Sequence, residues 1–226
     1  HNVAHSFPTR RSSDLGVISY LHRFGDHLTK HLAAGYVLTC CGDTGSFVYK
    51  RSKRGDALCD RIAEHVLKYR DAAYEVIPFS IGGSDERQYC SPGFNLPVGS
   101  LTRSMYQRYK EYHTSLDNKD FISFAAMEET IAVYFEFVKA LELNDFYINA
   151  LPYCEPQLGK RGLYPNLVDP FYKRESMHNR LHLLAYADGL IDLVSIAEIR
   201  KRSIFDFAEH VPLLMENKLL TIADRS

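Results

Sequence analysis

Two stretches of the chain concentrate side chains that can do chemistry. The first runs Gly82-Gly83-Ser84-Asp85-Glu86-Arg87-Gln88-Tyr89-Cys90-Ser91-Pro92-Gly93 and sets two adjacent carboxylates in a glycine-rich loop. The second runs from Tyr109 to Asn118 and places His113 four residues before Asp117. A histidine in a polar loop, with a carboxylate at that distance, can be a metal ligand or a general base whose ring the carboxylate orients. The alternative is a hydrogen-bonded turn histidine, and spacing alone leaves both readings open.

The elements around these loops alternate in type. Val17, Ile18, Leu21, Phe24, Leu28 and Leu32 have helical spacing, with Gly35 as a natural stop. Tyr36–Cys41 (YVLTCC) reads as a strand that ends in the turn Gly42-Asp43-Thr44-Gly45, with Phe47–Tyr49 as a candidate neighbour. A helix is expected over Asp56–Tyr69, strands over Tyr74–Phe79 and Leu96–Leu101, and a strong amphipathic helix over Phe124–Leu143. Arg103–Asp120 is polar and aromatic without a period. The first chemistry-bearing stretch therefore falls between two expected strands, in a strand-end loop of the kind where open α/β sheets bind ligands.

Asn144–Glu175 breaks the pattern with Pro152, Pro156, Pro165 and Pro170 and reads as an extended connector, with one strand at Phe146–Leu151. From Ser176 onward, Leu181, Leu184 and Tyr186 form a helix ending at Asp188-Gly189. Leu193, Ile196 and Ile199 form a second, and Phe205, Phe207, Val211, Leu214 and Met215 a third, before a strand at Leu219–Ile222. Three short helices and a strand match a winged helix-turn-helix pattern.

At the other end, residues 1–15 show neither periodicity nor a signal-peptide core. The string FPTRRSSDL from Phe7 to Leu15 resembles the translation of a sequencing-library adapter. The expected organisation is a foreign or disordered leader over 1–15, an α/β domain over 16–143, a connector over 144–175 and a winged helix-turn-helix over 176–226.

Composition sets the outer bounds. The 226 residues carry 27 Lys+Arg against 28 Asp+Glu, with 46% hydrophobic and 12% aromatic residues. That composition excludes a disordered or collagen-like chain. No apolar stretch approaches the roughly 20 residues that cross a bilayer, so no membrane partner is expected. Five cysteines without a CxxC motif suggest a reduced, cytoplasmic protein. Cys40 and Cys41, adjacent on a strand, would face opposite sides and read as core. From Ser176 the segment holds six Lys/Arg against seven Asp/Glu, which argues against nucleic acid. The run Lys50, Arg51, Lys53, Arg54 reads as a solvated turn, with anion binding as the rival.

Four strings together carry a family likeness. Gly83-Ser84-Asp85-Glu86-Arg87-Gln88-Tyr89 and Tyr112-His113-Thr114-Ser115-Leu116-Asp117 resemble loops of the zinc aminopeptidase clan. That clan also holds glutaminyl cyclases and transferrin-receptor-like ectodomains. More narrowly, the chain resembles a bacterial and archaeal family of uncharacterised aminopeptidase-like proteins, in which a metallopeptidase-type domain precedes a winged helix. Glu155-Pro156-Gln157-Leu158-Gly159-Lys160-Arg161-Gly162-Leu163-Tyr164-Pro165 and Leu184-Ala185-Tyr186-Ala187-Asp188-Gly189 fit that family. The resemblance covers roughly Gly16 to the C-terminus.

The resemblance implies an α/β fold: a truncated, mixed aminopeptidase-like sheet flanked by helices, followed by a small winged helix-turn-helix domain. It implies a zinc ligand at His113, with Tyr112 beside it and Asp117 orienting the loop. It places Asp85 and Glu86 near a substrate amine or the metal. The clan's acidic ligand at the end of a strand like Tyr36–Cys41 has Thr39, Cys40 and Cys41 in its place here, and Asp43 is the nearest acid. The first clan histidine, the bridging aspartate and the general-base glutamate are expected upstream of Gly16. The implied activity is zinc-dependent hydrolysis of a peptide or amide substrate by the intact protein, with this chain alone inactive. Alternatives are a cyclase or deacylase on the same fold, or a non-catalytic binding module using the winged helix; homo-oligomerisation stays open.

Overall fold

A computed structural model of the protein describes residues 14–164 and 170–224. The expected leader through residue 13 and connector residues 165–169 lie outside the described residues. The structure divides into two compact units between Tyr134 and Phe135.

The first unit opens with α1, Asp14–His31, which starts two residues before the expected Gly16. Its apolar stripe is driven inward by burial. Val17 and Leu21 join Leu96 and Val98 in a core cluster, with Leu28, Leu32, Val37, Tyr89 and Phe94 packed on it. Gly35 does not cap this helix but begins β1 (Gly35–Leu38). The expected strand through Cys41 stops at Leu38, because Cys40 turns into the left-handed region at φ +47°.

Three more strands, β2 (Phe47–Lys50), β3 (Tyr74–Ile77) and β4 (Val98–Thr102), complete a sheet of order β1-β4-β2-β3. β1 is parallel to β4 and β2 to β3, while β2 is antiparallel to β4. Phe47–Tyr49 is therefore not beside β1, since β4 lies between them. Strand alternation sorts the side chains. Ser100 is in register with both Val37 and Lys50, so these three share one face. Tyr36 is opposite Gly99, and Tyr49 opposite Leu101, on the other. A Cβ at Gly99 would sit 2.8 Å from Cζ of Tyr49, so only glycine admits that ring.

Helices cover the Tyr49 side. In α2 (Leu58–Lys68), buried Asp60 accepts from Tyr49 Oη (2.9 Å), Ser52 N (2.7 Å), Ser52 Oγ (2.5 Å) and Ala57 N (3.1 Å). Four donors offset the cost of burying that carboxylate. In α4 (Phe124–Leu143), the hydroxyl of Tyr134 is 2.9 Å from Val37 O and 2.8 Å from Leu101 O, fastening the helix over β1 and β4.

In the second unit, β5 (Phe146–Asn149) comes from the expected connector yet forms the centre of an antiparallel sheet of order β6-β5-β7. The flanking strands are β6 (Asp188–Asp192) and β7 (Leu220–Ile222). The Asp188-Gly189 pair, expected to end a helix, begins a strand instead. Three helices pack with them: α5 (Pro170–Tyr186), α6 (Leu193–Arg200) and α7 (His210–Glu216). α5 begins six residues before the expected Ser176. The expected third helix divides into a 3-10 turn at Ile204–Phe207 and α7. Asp192 caps α6 by accepting from Ser195 N and Oγ. Leu183, Leu193, Ile196, Phe207 and Leu214 are fully buried in the core. Among the described residues, no helix is long and apolar enough to cross a membrane.

Candidate functional site

Lys50, the last residue of β2, leaves the basic run and points inward with no exposed side-chain surface. Its ammonium donates to Glu86 Oε1 (2.9 Å), to Tyr106 Oη (3.2 Å) and to the Gly82 carbonyl. Three protons meet three acceptors. A buried ion pair survives its desolvation cost only with such geometry. Ser84 N also donates to Glu86 Oε1, at 3.1 Å. The other oxygen, Oε2, is buried without a partner among the described residues. A Cβ on Gly83 would lie 2.6 Å from Lys50 Nζ and 2.7 Å from Tyr106 Oη, which explains the glycine in the first loop. Asp85 is buried, and its carbonyl starts the one-turn α3 (Glu86–Tyr89) by accepting from Gln88 N and Tyr89 N.

Tyr106 joins this cluster to the second loop. Its hydroxyl donates to Gly82 O at 2.9 Å, and its ring lies 6.2 Å from that of Tyr112. Tyr112 in turn stacks on His113, with ring centroids 4.0 Å apart and planes within 14°. Tyr109 packs edge-on to Tyr112 and stacks on Phe121, while its hydroxyl meets Cys40 Sγ at 3.4 Å. Burial raises the pKa of Tyr106, against which the Lys50 ammonium pulls down, and burial also raises that of Tyr112. His113 is exposed and holds φ at +57°, a region that side chains other than glycine visit sparingly. The contact that orients its ring is Tyr112; Asp117 stays exposed, its amide donating to Thr114 O.

Asp43 serves the turn that carries it. Its carboxylate accepts from Gly45 N (2.7 Å), Ser104 Oγ (2.6 Å) and Ser104 N (3.2 Å). Arg103, stacked 4.3 Å over the Phe47 ring, donates to Gly45 O, Thr130 Oγ1 and Glu129. The start of the 103–120 loop is thus clamped on both sides. Among the described residues, no group of three or more His, Cys, Asp or Glu side chains could hold a metal ion. The structure brings Glu86 and Tyr112 into one cluster through Tyr106, ties Asp43 to the same segment through Ser104, and leaves His113 at its exposed rim. Sequence reasoning missed Lys50, Arg103, Ser104 and Tyr106.

Residues 11–144 match the family model described as "Domain of unknown function (DUF4910)". The chain belongs to this family. Residues 145–222 match a winged helix-turn-helix model, which takes in β5. A Clostridium acetobutylicum protein named "Putative polysaccharide biosynthesis protein with aminopeptidase-like domain" is 47% identical over 150 residues, covering 66% of this chain and 34% of its own length. A crystal structure described as that of a "putative peptidase" from Clostridium acetobutylicum superposes with a TM-score of 0.82 at 37% identity, over 92% of this chain and 46% of that one. The chain therefore spans about a third of the first protein and about half of the second.

Several other charged groups of this DUF4910-family chain are paired locally. Arg51 makes a bidentate pair with Glu64, and Arg54 donates to Asn95 O, so with Lys50 buried three of the run's four cations are engaged within the protein. Arg200 and Arg202 both donate to Glu175 Oε2, at 2.9 and 2.6 Å, and Arg202 holds that carboxyl below its ordinary pKa. Cys40 and Cys41 are half-buried in a loop rather than core residues facing opposite sides of a strand, and burial pushes the Cys41 thiol up to about 11.

Proposed function

We propose that the chain supplies the substrate-side loops of a peptidase-like hydrolase acting on a peptide or amide bond. The observation that carries this reading is the Lys50–Glu86–Tyr106 junction, which fastens the loop bearing Asp85 and Glu86 to the segment bearing Tyr112 and His113. A hydrolase must hold its substrate's amine and its scissile carbonyl in fixed relation, and loops locked by buried polar bonds provide that. The names of the two clostridial relatives support the same class. In this reading Asp85 and Glu86 border the substrate's amine end and Tyr112 and His113 its reacting end. Zinc dependence, with His113 as one ligand, is part of the proposal. The described residues do not fit that ion by themselves, since a zinc site takes at least three protein ligands and no such group is assembled here. No step is therefore assigned to it.

The test compares two proteins on a panel of aminoacyl amides and short peptides: this 226-residue chain, and the same chain joined to the part of the clostridial putative peptidase that it does not cover. Turnover is expected from the second alone, reduced at least about 100-fold by His113→Ala, as for loss of a group acting in the transition state. No hydrolysis by the extended protein with any substrate, or full activity in His113→Ala, would overturn the reading. The rival, a non-catalytic module using the winged helix, predicts the first of those failures.

A further inference from the structure

We infer that His27 and His31, on α1, form a surface site for a divalent transition-metal ion of the zinc–nickel–copper group. They stand at i and i+4, the spacing that puts two side chains one above the other on a helix. Their rings lie 4.5 Å apart between centroids and are inclined by 36°. Both are exposed, and α1 is held along the adjoining face, roughly a quarter-turn round the helix, by Val17 and Leu21 in the core, with Leu28 and Leu32 packed on it. The helix is therefore a rigid base, and two imidazoles on it act as a chelate whose second ligand binds at high effective concentration. Imidazole is the ligand that zinc, nickel and copper accept in common. The pair occupies the last two turns, where the outward carbonyls favour a dication. Two nearby cations oppose it: Lys30, and Arg23, whose guanidinium is drawn over the Phe24 ring at 5.2 Å. They weaken a site that works by lone-pair donation without removing its ligands. With two protein ligands the remaining positions go to water, which leaves the ion able to accept a further ligand from outside the chain.

This site is separate from His113 and does not rest on the hydrolase reading. The test titrates nickel chloride into the full 226-residue chain under reducing conditions, while amide resonances are followed by NMR and heat by calorimetry. Paramagnetic broadening is expected to centre on Arg23–His31 in the unaltered chain and in His113→Ala. His27→Ala and His31→Ala should each weaken nickel binding at α1 by about tenfold or more, because each converts a chelate to a single ligand. Both substitutions fall on the exposed face of a helix and raise its propensity, so the variants remain folded. Thermal midpoints give a second readout: nickel should raise that of the unaltered chain and not that of the double variant. Broadening centred on residues 109–117, or binding unchanged in both α1 variants, would overturn the assignment.

Discussion

The Tyr106 hydroxyl lies 3.2 Å from Lys50 Nζ and donates to Gly82 O, so one phenol links the end of a strand to two loops. Tyr106→Phe removes both bonds and leaves the ring in place. It should cost about 1–2 kcal/mol, the range for hydrogen bonds that include one to a charge. Amide exchange should accelerate at 82–86 and 106–113 and stay unchanged in β4. Exchange unchanged at 106–113 would show that the loops are not coupled through this residue.

Lys50→Met strands the Glu86 carboxylate in the interior. With both side chains at 0% exposure, the loss should reach about 3–5 kcal/mol in urea unfolding, as for removing one partner of a buried pair. Lys50→Met/Glu86→Leu should be clearly milder than Lys50→Met alone, since no unpaired charge remains. A single-variant cost under about 1 kcal/mol would mean that water reaches Glu86.

Acid should loosen the second unit before it reaches any carboxylate. His210 is buried, and burial, then Arg180, depress its pKa below the usual 6.5, while Glu209 and Asp206 pull the other way. His182 is lowered too, by burial first. A group depressed in the fold is stabilising above its unfolded pKa, and that contribution is lost as pH falls from about 6.5 through the folded value. Thermal midpoints should therefore drop as pH falls below about 6.5, and the slope should lessen in His210→Gln. An unchanged slope would remove His210 as the cause.

β1 is an edge strand, and Leu38 is 62% exposed. Tyr36–Cys41 has no charge, proline or glycine, the makings of an aggregation-prone edge. Leu38→Lys should lower light scattering on incubation without moving the thermal midpoint by more than a degree or two. β1 amides should also exchange faster than those of β4, which has a neighbour on each side. Equal protection would show the edge to be covered in solution.

Glu175 holds two of the three cations in the Arg200-Lys201-Arg202 cluster. The chain is expected to bind duplex DNA weakly, and Glu175→Gln should tighten that binding and steepen its salt dependence by freeing both arginines. Submicromolar, steeply salt-dependent binding by the unaltered chain in a fluorescence titration would refute the charge argument.

Local pattern was enough for the elements that local physics controls. The Phe124–Leu143 helix matches the observed α4 residue for residue, because apolar spacing over twenty residues outweighs everything else in that stretch. The winged pattern was legible for the same reason, and the two polar loops by their composition. Lys50 was not. Read in its run it belongs to a solvated turn, and what buries it is the arrival of Gly82, Tyr106 and Glu86 from 32, 56 and 36 residues away. No periodicity encodes that convergence. β4 between β1 and β2, and β5 at the centre of the wing sheet, are likewise products of long-range pairing. A strand carries its alternation in its own residues, but its neighbours are chosen only when the whole sheet closes its backbone bonds. Asp43, which the family resemblance offered as the acid nearest a ligand position, follows the same logic: its bond from Ser104 Oγ comes from 61 residues away, and no local pattern encodes it.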